Sequence, residues 1–475
     1  MIRPVVFAGL LVAAPIAAQT APADSTSHWV DSIFAPFASS SAPGCAVGIV
    51  RKGKLELAKS YGMADLEHDA PIGPDTRFYV ASISKQFTAM SIILLAQEGR
   101  LSLDDSVQKW VPEVPSFGAT ITLKHLLQHT SGLRDYFTLL AVSGWPTDGL
   151  LSEQQFLTLV SRQKTLNFTP GSEFLYSNTG YALLAVVVKR VSGKSLREYA
   201  AANIFRPLAM THTQFRDDHT SLIPQRALGY QPNGSTFRTS QPEFDVVGDG
   251  GVYSTVEDLA KWDANFRSGK VGGKSAISML QTPGKLNDGQ PIPYAMGITV
   301  GEFRGEKTFS HSGSYGGYRS MMLRVPDKNL SVITLCNTSD APITLGEQVA
   351  SVVLGLAAQK TNVAALSVSP TLWSAGAAQA PYDSSAIRTR AGQLARIAGS
   401  YYSGELDLAV TITARENALV LERANAEEIR FSPVTDDLFT NSDQMVLKIV
   451  RDEKGVVTGF TLTINRVRGL EFKRR

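Results

Sequence analysis

The sequence predicts an α/β protein, in which helices flank an antiparallel sheet and also form a helical subdomain, followed by a small C-terminal antiparallel β-barrel. Three observations predict this fold. Strand-like runs occur near both ends of residues 30–358, and mainly helical patterns lie between them. Residues 392–475 then contain short alternating runs separated by turns. A chain of 475 residues is long enough for such a division into domains.

The chain begins with a pattern typical of an export signal, predicted over residues 1–18. One positive charge in MIR precedes the apolar run VVFAGLLVAAPIAA, and two small residues, Ala17 and Ala18, end the segment. The apolar run is too short to span a bilayer. We therefore expect a cleaved leader and a mature protein that is periplasmic or secreted, without a membrane span.

The first domain, predicted over residues 30–358, begins with a hairpin at 44–61 that turns at Lys52 and Gly53. An apolar helix is predicted over 84–98. The runs EKTFSHSG, YRSMMLRV and LSVITLCN predict three later strands, and GEQVASVVLGLAA predicts a helix that covers their sheet. Strands from both ends of the domain would therefore share one sheet.

The remainder of the chain divides into a linker and a second domain. Residues 359–391 are rich in Ala, Ser, Thr and Pro and lack periodicity, which predicts a linker. In residues 392–475 the run LDLAVTIT places Leu408, Val410 and Ile412 on one face of a strand. We expect about six to eight short strands that close into a barrel.

Bulk composition excludes some functions. The formal net charge is only +3 and no basic stripe is visible, which argues against a nucleic-acid partner. The seven histidines and two cysteines show no metal-ligand spacing, so we predict neither a metal ion nor another cofactor. The simplest interpretation of Cys45 and Cys336 is two small buried side chains, although an oxidising compartment would permit a disulfide.

The stretch ASISKQFTAM contains the first candidate for chemistry. In a helix, side chains three residues apart share a face, so Lys85 lies beside Ser82 and is turned away from Ser84. A lysine held in a dry site has a lowered pKa and can act as a base at neutral pH. A hydroxyl, a neighbouring amine and an oriented backbone N–H are the parts of an acyl-transfer nucleophile.

The Ser-x-x-Lys tetrad alone is a weak signal, because SVQK at 106–109 and SRQK at 161–164 repeat it in polar segments. A second motif, FLYSNTGY, strengthens the interpretation. In an extended segment, the phenol of Tyr176 and the amide of Asn178 would face one site, with Ser177 turned away. The alternative is a tyrosine packed at the start of a helix.

The run FSHSGSYGG supplies a third motif. On a strand, His311 and Gly313 share a face, and the absent glycine side chain would leave room for a substrate backbone. The N–H of Ser314 could join that of Ser82 as a second oxyanion donor. The alternative is an ordinary strand histidine before a hairpin glycine. We interpret HTSGL, which contains His129, as a structural loop near the site.

The ordered set FYVASISKQFTAMSI, YSN and HSG resembles the penicillin-recognising serine hydrolases, and more narrowly the class C β-lactamase-related group. That group includes class C β-lactamases, D-alanyl-D-alanine carboxypeptidases, D-aminopeptidases and related esterases. The resemblance covers roughly residues 30–358 and implies a β-lactamase-like sheet flanked by helices. Residues 392–475 resemble the lipocalin-like barrel that some members carry.

The resemblance also implies roles for the motif residues. Ser82 would be the acylated nucleophile, Lys85 its base partner, and Tyr176 a second proton-handling group. The implied substrate-binding residues are Asn178, His311, Ser312, Gly313 and Ser314. Whether the lysine or the tyrosine takes the first proton is left open.

The chain departs from class C β-lactamases where those enzymes carry Lys-Thr-Gly, because His311-Ser312-Gly313 stands there. Histidine is mostly neutral at pH 7, so the permanent cation that attracts a β-lactam carboxylate is missing. We therefore expect a serine hydrolase that cleaves peptides or amides containing D-residues, or small esters. The alternatives are a β-lactamase and a penicillin-binding sensor that is acylated but turns over slowly.

Overall fold

The predicted fold class is confirmed by the computed structural model, which describes residues 23–146, 149–355, 391–424 and 426–475. An α/β domain built on an antiparallel sheet is followed by a closed antiparallel barrel of eight strands. The predicted export signal, 1–18, lies outside the described residues, as does nearly all of the predicted linker, 359–391.

The strands of the first domain are grouped mainly near its two ends, with most of the helices between them. They are β1 (Cys45–Arg51), β2 (Lys54–Tyr61), β3 (Met63–Asp65), β4 (Ala70–Pro71), β5 (Phe78–Tyr79), β6 (Gln214–Phe215), β7 (Tyr230–Asn233), β8 (Thr236–Thr239), β9 (Val252–Ser254), β10 (Thr299–Phe303), β11 (Glu306–Tyr315), β12 (Tyr318–Val325) and β13 (Leu330–Cys336). The main sheet has the order β10-β11-β12-β13-β1-β2. Its neighbours β1 and β13 come from opposite ends of the domain, as the sequence predicted.

The helices pack on both faces of this sheet. They are α1 (Ala23–Phe34), α2 (Lys85–Gln97), α3 (Val107–Trp110), α4 (Leu123–Leu127), α5 (Tyr136–Ser143), α6 (Glu153–Ser161), α7 (Asn178–Ser192), α8 (Leu196–Ala200), α9 (Val256–Ser268), α10 (Gly273–Gln281), α11 (Leu345–Val353) and, before the barrel, α12 (Ala391–Ile397). Helices α1 and α11 share an apolar cluster with one face, through residues such as Phe34 and Val349. Phe87 of α2 and Val256 of α9 belong to the larger cluster on the other face.

Helix α2 is buried on nearly all sides, as its apolar sequence predicted. Buried residues run from Lys85 to Ile93 without a break and include Leu95. A buried helix can hold a lysine at its first position only when the amine finds partners inside the protein. The position of α2 therefore decides the surroundings of Lys85.

The two cysteines face each other across the sheet. Cys45 of β1 pairs with Cys336 of β13 in the strand register, and the two form a disulfide. The sequence left open whether these cysteines are two buried side chains or a disulfide, and the structure has the disulfide. The sequence could not decide this, because 291 positions separate them and only the pairing of β1 with β13 brings them together.

The barrel packs against the helical part of the first domain. Its strands are β14 (Gly399–Ser403), β15 (Leu408–Arg415), β16 (Ala418–Glu422), β17 (Ile429–Pro433), β18 (Leu438–Thr440), β19 (Val446–Arg451), β20 (Val457–Ile464) and β21 (Val467–Arg474). Leu139 and Val142 of α5 belong to the apolar cluster of the barrel. A buried ion pair between Arg134 and Glu405 also joins the two domains. Within the described ranges, no helix has the length and apolarity needed to cross a bilayer.

Candidate active site

The residues before α2 fold into a short 3-10 turn, Ala81–Ser84, that presents Ser82 at the start of the buried helix. Ala81 has a φ of 46°, a left-handed conformation that is costly for a residue with a side chain and is concentrated at functional sites. The hydroxyl of Ser84 accepts the backbone N–H of Val252 at 3.1 Å, on the other side of the turn. Ser82 is therefore the serine of this stretch that meets Lys85.

Lys85 is fully buried, and three oxygen atoms surround its amine. Nζ lies 3.0 Å from Ser82 Oγ, 2.9 Å from Asn178 Oδ1 and 2.7 Å from the carbonyl oxygen of Asp249. Amide and peptide carbonyl oxygens only accept hydrogen bonds. A neutral amine would give them its two N–H groups and direct its lone pair at the serine hydroxyl.

Burial sets the charge of this amine. Desolvation lowers the pKa of Lys85 to about 7, although the charge of Asp249 acts in the opposite direction. The neutral form is therefore accessible near neutral pH. The amine of Lys85 lies within hydrogen-bonding distance of Ser82 Oγ, as the spacing of the two residues in the sequence suggested.

Tyr176 covers another side of the lysine amine, with Nζ 4.8 Å from the centre of the phenol ring. Ser177 is extended, with φ −136° and ψ 120°, and Asn178 begins α7. Tyr176 and Asn178 therefore both contact the amine of Lys85. The YSN motif is at the same time the start of helix α7. Burial raises the pKa of Tyr176, while a hydrogen bond with Ser82 lowers it. The ring is therefore a phenol at neutral pH.

His129 supports the Tyr176 segment from behind. Its ring centre lies 4.1 Å from that of Tyr176, and its Nδ1 accepts the backbone N–H of Ser177 at 3.1 Å. Burial lowers the pKa of His129 well below its usual value, so the ring is neutral and Nδ1 keeps its lone pair. These contacts agree with the interpretation of HTSGL as a structural loop near the site.

His311 lies on β11, where its ring centre is 6.1 Å from that of Tyr176. Its Nε2 is 2.9 Å from the Tyr294 hydroxyl, and its Nδ1 is 2.7 Å from the carbonyl oxygen of Ser312. Because that carbonyl only accepts, Nδ1 donates and Nε2 accepts from Tyr294. Burial lowers the pKa of His311 to about 3. His311 is therefore uncharged at neutral pH.

The sequence suggested that Gly313 leaves room for a substrate backbone, whereas the structure shows protein atoms beside it. A Cβ at this position would lie 2.3 Å from the carbonyl oxygen of Val80 and 2.3 Å from Ser320 Oγ. The glycine thus allows β11 to pack against the turn that carries Ser82, and it makes room for protein atoms. Ser312 pairs with Met321 and lies on the opposite face of β11, so its side chain does not share the face of His311 and Gly313.

Two buried carboxylates that the sequence analysis did not single out complete the site. Asp249, in the GDGG stretch, holds Lys85 through its carbonyl group, and its Oδ2 accepts the Tyr136 hydroxyl at 3.1 Å. Burial raises the pKa of Asp249, against the charge of Lys85. Asp135 accepts the backbone N–H of Asn178 at 2.7 Å and so fixes the start of α7. The signal for both was an acidic residue in an otherwise apolar or glycine-rich stretch.

These elements enclose a cavity of about 530 Å³. Of the sequence-predicted residues, Ser82, Tyr176, Asn178 and Ser314 line it. The wall is otherwise largely apolar and includes Phe137, Leu140, Trp145, Phe244 and Tyr315. A cavity of this size and character is typical of a site for a small organic ligand or a short peptide.

The barrel contributes one residue to the cavity wall. This residue is Arg466, in the turn between β20 and β21. The sequence analysis missed it, because an arginine in a hairpin turn of a separate domain has no local signature of a catalytic site. The candidate site is therefore built from both domains.

Comparison with known proteins identifies the first domain. The Beta-lactamase family model matches residues 30–352. This chain belongs to the Beta-lactamase family. One similar protein is a D-aminopeptidase of Gluconobacter oxydans (strain 621H). It is 28% identical to this chain over 317 residues, which are 66% of this chain and 59% of that protein. A penicillin-binding protein of Bacillus subtilis (strain 168) is 32% identical over 305 residues, which are 61% of this chain and 66% of that protein.

A solved structure extends the similarity to the barrel. The octameric penicillin-binding protein homologue from Pyrococcus abyssi superposes with a TM-score of 0.63 at 25% sequence identity. The match covers 95% of this chain and 99% of that one. In contrast, the matches to the two curated relatives span only 59% and 66% of those proteins' lengths.

Proposed function

We propose that this member of the Beta-lactamase family is a periplasmic or secreted serine hydrolase that forms an acyl-enzyme on Ser82. Its substrates are peptides or amides containing D-residues, or small esters. The observation that carries the proposal is the buried amine of Lys85, 3.0 Å from the Ser82 hydroxyl at the edge of a cavity. Two of its other neighbours are carbonyl oxygens, which favour an orientation of the lone pair toward the serine.

In the proposed reaction, Ser82 Oγ attacks the substrate carbonyl carbon while its proton passes to the base. The backbone N–H groups of Ser82 and Ser314 stabilise the oxyanion of the tetrahedral intermediate. The bond to the leaving group then breaks, and the leaving nitrogen or oxygen takes up the proton. Water attacks the serine ester, the acid product leaves, and the serine hydroxyl is restored.

Lys85 is the proposed general base, with Tyr176 as a hydrogen-bonding partner of the reacting groups. Burial affects the two residues in opposite directions, because it favours the neutral form of each. It lowers the pKa of Lys85 to about 7, which makes a basic amine available. It raises the pKa of Tyr176, which keeps the phenol protonated.

The proposed substrate class rests on the relatives and on His311. One relative is named a D-aminopeptidase and another a penicillin-binding protein. A neutral His311 gives a β-lactam carboxylate no cation at the position of the missing lysine, so efficient β-lactam hydrolysis is not expected. The disulfide between Cys45 and Cys336 supports an oxidising compartment such as the periplasm.

The experiment is a comparison of Ser82→Ala with wild type on nitrocefin, short-chain nitrophenyl esters, D-alanyl nitroanilide and a D-alanyl-D-alanine peptide. We expect Ser82→Ala to lower kcat/KM by about 1,000-fold or more on every substrate that wild type turns over, because no other group supplies the nucleophile. Ser161→Ala is the matched control, since Ser161 is the exposed serine of the tetrad SRQK. Its hydroxyl donates to the carbonyl oxygen of Thr158 in the same helix at 2.9 Å.

Mass spectrometry of the intact protein separates the proposed hydrolase from the alternative, a penicillin-binding sensor that is acylated but turns over slowly. A transient adduct that disappears with turnover supports the hydrolase. A stoichiometric burst that leaves a stable adduct supports the sensor. Wild-type rates in Ser82→Ala would contradict both, because both require acylation of this serine.

A further inference from the structure

The turn between β20 and β21 reaches from the barrel into the candidate active site. Arg466 in this turn lines the same cavity as Ser82, and only 12% of its side chain is exposed. Its guanidinium carbon lies 4.8 Å from the centre of the Tyr176 ring, and its Nη1 lies 3.7 Å from Asp135 Oδ2. The arginine thus contacts two residues of the site that belong to the other domain.

The backbone of this turn is fixed to the first domain by hydrogen bonds at Arg466 and at Arg468. Asn167 donates its Nδ2 to the carbonyl oxygen of Arg466 at 2.8 Å, and its Oδ1 accepts the N–H of Arg468 at 2.8 Å. The Arg134 guanidinium donates to the carbonyl oxygen of Arg468 at 2.8 Å. The arginine is therefore held at the cavity before any ligand arrives, which reduces the entropic cost of binding.

The charges around the cavity favour an anionic ligand at this arginine. Among the described residues that line the cavity, Arg466 supplies the only guanidinium or ammonium group. The lining also includes one carboxyl group, that of Asp249, which bonds to Tyr136 and whose pKa is raised by burial. His311 is neutral, and Lys85 lies beneath Ser82 with no exposed surface. A substrate carboxylate that enters this cavity therefore meets its cation in Arg466.

We propose that Arg466 binds the free carboxylate of the substrate and so selects peptides that end in a carboxylate close to the scissile amide. The proposal deepens the proposed function and rests on it. A planar guanidinium presents several N–H donors, so it can hold a carboxylate with two parallel hydrogen bonds while it stays near Asp135 and the Tyr176 ring. The barrel thereby supplies a cation, Arg466, which the His311-Ser312-Gly313 segment lacks. Arg466 enters the cavity from the barrel and not from β11.

The test compares two D-alanyl-D-alanine peptides that differ only at the C-terminus, one with a free carboxylate and one with a carboxamide. Dissociation constants are measured by calorimetry in the Ser82→Ala protein, where turnover does not interfere. We expect the acid to bind about 10- to 100-fold more tightly than the amide, the range of a charge-assisted hydrogen-bonded pair. Addition of Arg466→Ala should remove most of this ratio, and Arg466→Lys should retain part of it.

Arg468→Ala is the matched control, because Arg468 lies two residues away in the same hairpin and pairs with Glu173 rather than lining the cavity. It should leave the acid-to-amide ratio unchanged. Thermal unfolding of each variant shows whether the barrel is still folded. An equal affinity for acid and amide, a preference for the amide, or a ratio that survives Arg466→Ala would each overturn the proposal.

Turnover distinguishes this inference from the proposed function. If wild type hydrolyses the ester and peptide substrates through Ser82 but the binding ratio does not depend on Arg466, only the carboxylate site is wrong. If Ser82→Ala keeps wild-type rates, the proposed nucleophile is wrong, and calorimetry in that variant no longer reports binding alone. The acid-to-amide ratio of kcat/KM, measured with and without Arg466→Ala, then decides the role of Arg466.

Discussion

Burial and nearby carboxylates shift the pKa of Lys85 in opposite directions. The resulting pKa determines the pH at which the proposed mechanism can operate. Burial disfavours the charged amine, whereas Asp249 and Asp135 favour it, and the pKa of Lys85 ends at about 7. The amine is protonated below that value and neutral above it. Only the neutral amine can accept the proton of Ser82.

We therefore expect kcat/KM for an uncharged ester to fall about tenfold for each pH unit below the pKa of Lys85 and to level off above it. A pH–rate profile with such an ester checks this, because the substrate itself does not titrate. Lys85→Arg, which stays charged at every pH of the experiment, should be inactive throughout. A profile that is flat from pH 5 to pH 9 would show that this amine is not the base.

At the residue scale, the sequence predicted the three motifs but not the groups that surround them. Ser82 and Lys85 are three positions apart, so helical periodicity alone brings them together. Asp249 and Arg466 reach the same site from distant parts of the chain. Asp249 is marked only by its position in a glycine-rich stretch, and no local pattern marks Arg466. The position of a side chain that arrives through tertiary packing cannot be obtained from its neighbours in sequence.

At the scale of elements, the strand β11 and the turn Ala81–Ser84 form one packed unit. The absent side chain of Gly313 is what allows the contact, since a Cβ there would overlap the carbonyl oxygen of Val80 at 2.3 Å. The turn that carries Ser82 thus takes its position from a strand more than 200 residues later in the chain.

Gly313→Ala should therefore displace this turn. We expect a loss of about 1–3 kcal/mol in the free energy of unfolding, as for overpacked cores, and a loss of about 100-fold in kcat/KM. Denaturant unfolding and ester hydrolysis measure the two effects. Gly73→Ala is the control, because a Cβ at that glycine would meet no atom within 4 Å. Equal activity in the two variants would show that the packing of β11 does not position Ser82.

The boundaries of α2 illustrate what a pattern can predict about an element. The apolar run predicted a helix over 84–98, and the structure has Lys85–Gln97 preceded by a 3-10 turn. Burial of a whole helix is visible in its composition, because every face is apolar. The turn before it is not visible, because its conformation depends on contacts with β9 and β11.

At the scale of the whole molecule, the barrel is attached to the first domain by a buried ion pair. Arg134 is 1% exposed and Glu405 is 4% exposed at the side chain, and the same arginine donates to the turn that carries Arg466. Removal of one partner from a buried pair leaves the other charge unpaired in a dry interface.

Glu405→Ala should therefore destabilise the docked barrel by about 3–5 kcal/mol. Urea unfolding should show an earlier transition, and the affinity for the acid peptide should fall because Arg466 loses its support. The control is Glu422→Ala, which removes an exposed ion pair with Arg415 and should cost less than about 1 kcal/mol. If both variants unfold alike, the ion pair does not hold the two domains together.

The sequence by itself determined the α/β class, the barrel and the likeness of its three motifs to a hydrolase site, because periodicity and motif spacing are local properties of the chain. Only the tertiary structure decided that Cys45 and Cys336 are joined, that Gly313 makes room for the serine turn, and that the barrel places Arg466 in the cavity. The physical reason is that these contacts join segments far apart in sequence, and their geometry exists only after the sheet, the helices and the barrel have packed together.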